Sequence, residues 1–206
     1  MSTLTRFSRM LNATVIALAS CLVGPVDSQT ATAPELTGPC PITEQTVTVG
    51  GSLTTYLFYP SSSTCTAGPA APFPAVVFAH ELNPFPQFLD SAAENADNGR
   101  HLASWGMIVA IPKLETDFET RVSRLGEVLD YLSAQNDLPA SPLYRKVDVN
   151  RLATAGHSLG GAAALALAAR DARIRAVVAL DPVYHASDSS GNEGAQVWSI
   201  AEADQI

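Results

Sequence analysis

Two hydrophobic rhythms run along the chain. Thr46–Val49 and Leu53–Tyr59 alternate apolar and polar side chains about Gly50-Gly51, which predicts a hairpin of two half-buried strands. Ala75-Val-Val-Phe-Ala79 and Met107-Ile-Val-Ala-Ile111 are unbroken apolar runs of strand length, as expected of strands covered on both faces. Arg151–Ala155 and Arg175–Leu180 read as two more strands, and Gln196–Ile200 as another. Helical spacing fills the gaps. A short helix over Gly99–Trp105 ends at Gly106, where a residue without Cβ suits a left-handed cap. Thr116-Asp-Phe-Glu119 has capping-box spacing and opens a helix with Val122, Leu125, Val128, Leu129 and Leu132 on one face. Ser158–Arg170 is apolar all round, which predicts a buried helix. Residues 61–74 and the Pro- and Asn-rich 81–98 read as loops.

Strand and helix alternate from residue 75 onward. That predicts an α/β fold with a mostly parallel sheet, opened by an antiparallel hairpin at one edge. With 206 residues, 47% of them hydrophobic and 16% charged, the chain suits one globular domain with a sizeable core. A net charge of −8 without a basic stripe argues against nucleic acid as a partner.

The N-terminus carries a separate signal. Arg6 and Arg9 precede an apolar run, Leu11–Val23, and Val26-Asp27-Ser28 has the small-x-small form of a cleavage site. Residues 1–28 therefore read as a secretory signal peptide, too short for a membrane span, residues 29–41 as a linker and 42–206 as the folded domain. The alternative uses Leu18-Ala-Ser-Cys21 as a lipobox, with Cys21 lipid-anchored. Cleavage after Ser28 leaves Cys40 and Cys65, 10 residues before and 14 after the hairpin turn. An even count in an exported chain favours a disulfide at the open end of the hairpin; two unrelated buried thiols are the other reading.

Candidate chemistry centres on Gly156-His157-Ser158-Leu159-Gly160. The motif lies between a predicted strand and a predicted helix, the context of a nucleophile elbow. A turn that tight leaves no space for side chains at the flanking glycines, and the helix behind presents N–H groups to a developing oxyanion. The bland alternative is a Gly/Ser helix start used only for packing.

The segments FPAVVFAHELNPF, HLASWGMIVAIPK, RLATAGHSLGG and RAVVALDPV resemble the α/β-hydrolase superfamily. Within it they are similar to the branch of dienelactone hydrolases, chlorophyllases, platelet-activating-factor acetylhydrolases and cutinase-like polyester hydrolases. The resemblance implies a three-layer α/β-hydrolase sandwich. It makes Ser158 the nucleophile and the Leu159 and Leu82 N–H groups the oxyanion hole. Asp204 or Asp181 would be the triad acid, each at a strand end. Metal and cofactor are not needed, and the substrate is a small-molecule, lipid or polymer ester. Glu81 departs from the pattern, because relatives usually carry Gly there and an inward carboxylate would oppose an oxyanion. The base is unassigned. None of His80, His101, His157 and His185 follows Asp204, so the chain is expected to lack the last strand and histidine loop. The last strand present would then be an exposed apolar edge. His80 is expected to support the oxyanion loop, His101 to lie on a surface helix, and His185 to be a loop residue, with a non-standard base as its alternative. The expectation is a secreted serine esterase on Ser158, impaired if the chain ends at Ile206; the rival is a non-catalytic binding protein on the same scaffold.

Overall fold

The computed structural model describes residues 36–66, 68–82, 90–187 and 193–197. The expected signal peptide, Cys21, residues 29–35 of the linker, part of the 81–98 loop, the end of the Gln196–Ile200 strand and Asp204 lie outside them.

The hairpin forms as its alternation predicts. Strand β1 (Ile42–Val49) pairs antiparallel with β2 (Leu53–Pro60), from Ile42↔Pro60 to Val49↔Leu53. Gly50 and Gly51 take φ of 56° and 79° at the turn, angles that favour glycine. The Cys40–Cys65 disulfide closes the open end of the hairpin. Strands β3 (Phe73–Ala79), β4 (Ile108–Pro112), β5 (Val147–His157) and β6 (Ile174–Leu180) complete a six-stranded sheet of order β1-β2-β4-β3-β5-β6. β2 meets β4 antiparallel, and the β4-β3-β5-β6 half is parallel. Within it β3 and β4 carry the unbroken apolar runs because both of their faces are covered, whereas β6 is largely exposed.

Alternate side chains feed two cores. Phe73, Ala75, Val77, Ile108 and Leu152 face helices α3 (Phe118–Asp137) and α4 (Leu159–Arg170), with Leu125, Leu129, Leu132 and Leu167 packed against them. Phe58, Val76, Phe78, Val109 and Ile111 face the other side, where α1 (Ser91–Glu94) and α2 (Ala96–Ser104) bring Ala92 and Ala103. This is a three-layer α/β-hydrolase sandwich. On the α1/α2 side, Val178 and Leu180 of β6 are about half exposed, at 55% and 50%.

Several boundaries differ from the sequence reading. The expected 81–98 loop contains all of α1 and the start of α2. The cap of α3 is Asp117, not Thr116: its carboxylate accepts from the Thr120 N–H at 2.8 Å. The last strand among the described residues is β8 (Glu193–Val197), which pairs antiparallel with β7 (Val183–Ser187) in a separate two-stranded sheet. A parallel place beside β6 needs a crossover of a dozen residues or more. The segment available for one is itself extended and takes β8 as its neighbour.

Candidate active site

Ser158 stands where β5 ends and α4 begins, with φ 52° and ψ −125°. A non-glycine residue there is strained, by about 1–3 kcal/mol, and persists only where its surroundings hold it. They do. The Ser158 N–H donates to Leu180 O at 2.9 Å, and its carbonyl accepts from Ala162 N at 3.1 Å and Val183 N at 3.2 Å. The two glycines permit the close approach behind the turn. A Cβ on Gly156 would lie 2.5 Å from the Gly160 carbonyl, and one on Gly160 would lie 2.2 Å from Ala79 O and 2.4 Å from His80 O. The start of α4 is thus pressed onto the backbone at the end of β3.

That backbone continues into residues 80–82, which three polar side chains organise. His80 is buried, and its Nε2 accepts from the Leu114 N–H at 3.0 Å. The proton therefore sits on Nδ1, which donates to Glu81 O at 2.6 Å. Burial pushes the His80 imidazole below its ordinary range, and the nearby Arg121 charge pushes the same way. Arg121, from the first turn of α3, is fully buried. Its guanidinium donates to His80 O at 2.7 Å, Glu81 O at 3.1 Å and Glu115 O at 2.5 Å. Burial lowers it to about 10, against the pull of Glu81 and Glu115, so it stays cationic at neutral pH. The Glu81 side chain turns toward α1, where its Oε2 accepts from Asn95 Nδ2 at 3.4 Å, and the same oxygen lies 3.6 Å from His157 Nδ1. Burial alone would raise this carboxyl, but hydrogen bonds from its own N–H, Ser91 and Asn95 outweigh that and hold it low.

A model of one family, described as PET hydrolase-like, matches residues 19–206. The chain belongs to the PET hydrolase-like family. It is also similar to curated cutinases: 32% identical over 100 residues to Cutinase 2 of Thermobifida cellulosilytica, covering 47% of this chain and 37% of that one. Cutinase est1 of Thermobifida alba is 31% identical over 94 residues, 44% and 30% of the two chains. The cutinase of Thermobifida fusca (strain YX) is 32% identical over 100 residues, 47% and 30%. The match spans about a third of the length of these relatives.

In this PET hydrolase-like chain the structure brings together some of the residues expected at the site. Ser158 and Leu159 form the junction itself. Asp181 follows β6 directly, exposed and at φ 44°, between the two residues whose backbones bond Ser158. Leu82 is exposed at 41%, at the end of the loop that His80 and Arg121 hold. Asp204 lies outside the described residues. His80 is built into the loop of residues 80–82, with both ring nitrogens engaged. His101 sits in the last turn of α2, and His185 in β7. The Glu81 backbone does not require glycine, since its φ is not positive. Arg121 escapes a motif search, yet it stands four, seven and eight residues before Leu125, Val128 and Leu129, on the apolar face of α3. A cation at a core position of a helix is the signal that marks it. A second cluster lies at the neighbouring strand end: Asp90 accepts from Tyr56 Oη at 2.7 Å, pairs with Lys113 Nζ and caps α1 through Ala93 N. Among the described residues no group of three His, Cys, Asp or Glu side chains is disposed to hold a metal ion.

Proposed function

We propose that the chain is a serine esterase, cleaving carboxylic esters through an acyl-enzyme on Ser158. The observation that carries this reading is the strained backbone of Ser158, held at the head of α4 by Leu180, Ala162 and Val183 with Gly156 and Gly160 packed behind. Strain kept in place by three hydrogen bonds is the mark of a residue whose exposure matters. In the reaction, the Ser158 hydroxyl loses its proton to a base as its oxygen attacks the ester carbonyl. The Leu159 and Leu82 N–H groups stabilise the oxyanion, the base returns the proton to the alcohol as it leaves, and a water deprotonated by the same base cleaves the acyl-enzyme, releasing the acid and restoring the Ser158 hydroxyl. Asp181 and Asp204 are both candidates to orient the base. Leu180, apolar, exposed and bonded through its carbonyl to the Ser158 N–H, supports an apolar ester, as does the exposed Leu82 at the end of the 80–82 loop. The names PET hydrolase-like and cutinase support extending this to polymer esters.

Residues 1–28 would act as a secretory signal and 42–206 as the catalytic domain, supported by Arg6, Arg9 and the apolar Leu11–Val23 run. Among the described residues no helix is long and apolar enough to cross a membrane.

A non-catalytic binding protein is the second reading. It is favoured by the Glu81 carboxylate beside the elbow and by His80, whose ring nitrogens are both committed elsewhere. Fluorophosphonate labelling separates the two. The esterase reading expects labelling of the folded chain, and Ser158→Ala to abolish it and cut p-nitrophenyl ester hydrolysis by at least about 1000-fold. A folded chain that neither labels nor hydrolyses these esters would overturn the esterase reading.

A further inference from the structure

The peptide between Glu81 and Leu82 is gripped at one end. Its carbonyl accepts from Arg121 Nη2 at 3.1 Å and from His80 Nδ1 at 2.6 Å. Its other end is the Leu82 N–H. In a trans peptide the C=O and N–H lie in one plane and point in opposite directions, so fixing the carbonyl fixes the direction of the N–H. Arg121 Nη1 also holds the preceding carbonyl, His80 O, at 2.7 Å. That oxygen lies 2.4 Å from where a Gly160 Cβ would be, so it is wedged between the guanidinium and the start of α4. The loop is therefore positioned from both sides against the turn that carries Ser158.

Packing does not explain a cation here. Burying one is costly, and an apolar side chain would fill the space. Only the planar fork of an arginine reaches three carbonyls at once, those of His80, Glu81 and Glu115. A positive charge at the carbonyl end of a peptide also polarises its N–H into a better donor.

We propose that Arg121 is the positioning residue of the second oxyanion donor: from α3, its guanidinium sets the plane of the Glu81–Leu82 peptide so that the Leu82 N–H faces the oxygen of an ester bound at Ser158. The inference rests on the esterase reading and adds a residue that does not touch the substrate.

The test compares the full chain with Arg121→Lys and Arg121→Met. It follows fluorophosphonate labelling of Ser158 as a function of probe concentration, which separates probe affinity from the limiting rate, together with the thermal midpoint. Loss of an oxyanion donor slows such reactions about 100-fold. The limiting rate should fall by about that much in Arg121→Met and by about 10-fold in Arg121→Lys, whose single ammonium cannot span three carbonyls. Probe affinity should stay within about twofold in both. A folded variant that labels at the wild-type rate, with only its midpoint lowered, would overturn the proposal and leave Arg121 a structural residue. If Arg121→Met does not fold, the Arg121→Lys rate decides. If the wild-type chain itself does not label, the esterase reading fails. The positioning role is then decided by the amide resonances of Arg121→Lys: displacement of Leu82 beyond that of Leu159 supports it, and an unmoved Leu82 refutes it.

Discussion

His80 is shared between two loops, and its protonation state follows from what it joins. Nε2 must accept from the Leu114 N–H while Nδ1 donates to Glu81 O, so only the neutral ring serves both. Burial lowers its pKa from the ordinary 6.5. The unfolded chain therefore binds a proton in a window where the folded chain does not. The resulting stability is fully present above about pH 6.5 and is lost as the pH falls from there toward the lowered folded value. Urea midpoints should drop between about pH 7 and pH 5, above the range where carboxylates titrate. His80→Gln should flatten that dependence; an unchanged slope would remove His80 as its source. Glu81 shows the same economy of local contacts. A carboxylate expected to disturb an oxyanion is instead drawn toward Asn95, Ser91 and His157.

Between elements, the contact that governs the site is α4 on the end of β3. Gly160→Ala would drive a methyl group into Ala79 O and His80 O, which are backbone and cannot rotate away. The expected cost is about 1–3 kcal/mol, read as a lower urea midpoint. Labelling of Ser158 should slow as well, because the displaced backbone is the loop leading to Leu82. The elements themselves were legible in sequence wherever burial imposes a period. The hairpin, the apolar strands β3 and β4, and the buried face of α3 fall where alternation or helical spacing puts them. The elbow was legible because steric need fixes glycine at 156 and 160. What escaped depends on partners distant in sequence. Arg121 bonds carbonyls 40 and 41 residues away, so its place on the apolar face of α3 marks it as unusual without showing what it holds. α1 is too short for a periodicity, and its cap, Asp90, is set by Tyr56 of β2 and by Lys113, the residue after β4. The cap of α3 shifted by one residue because Asp117 and Thr116 both suit the position, and geometry chose the carboxylate.

At the scale of the molecule, the antiparallel end of the sheet depends on a covalent tie. Cys40–Cys65 closes a separation of 25 residues around the hairpin. Replacing both cysteines by serine should lower stability by about 3 kcal/mol in chemical denaturation. Rates at Ser158 should change little in the folded fraction, because the hairpin and the elbow lie at opposite sides of the sheet order. The segment just before Cys40 is fastened too. Trp105 Nε1 donates to Leu36 O, the Gly38 N–H to Ser104 Oγ, and the Cys40 N–H to Ser104 O. All three bonds lie at the C-terminal end of α2, from which the chain turns at Gly106 into the first residues of β4. β4 runs parallel to β3 and β5, so this is the sheet edge opposite the one that carries Ser158. The molecule therefore has a built-in mounting direction. A tether attached at Leu36 would grip the described domain at this end of the strands and leave the turn at Ser158 facing away from the point of attachment.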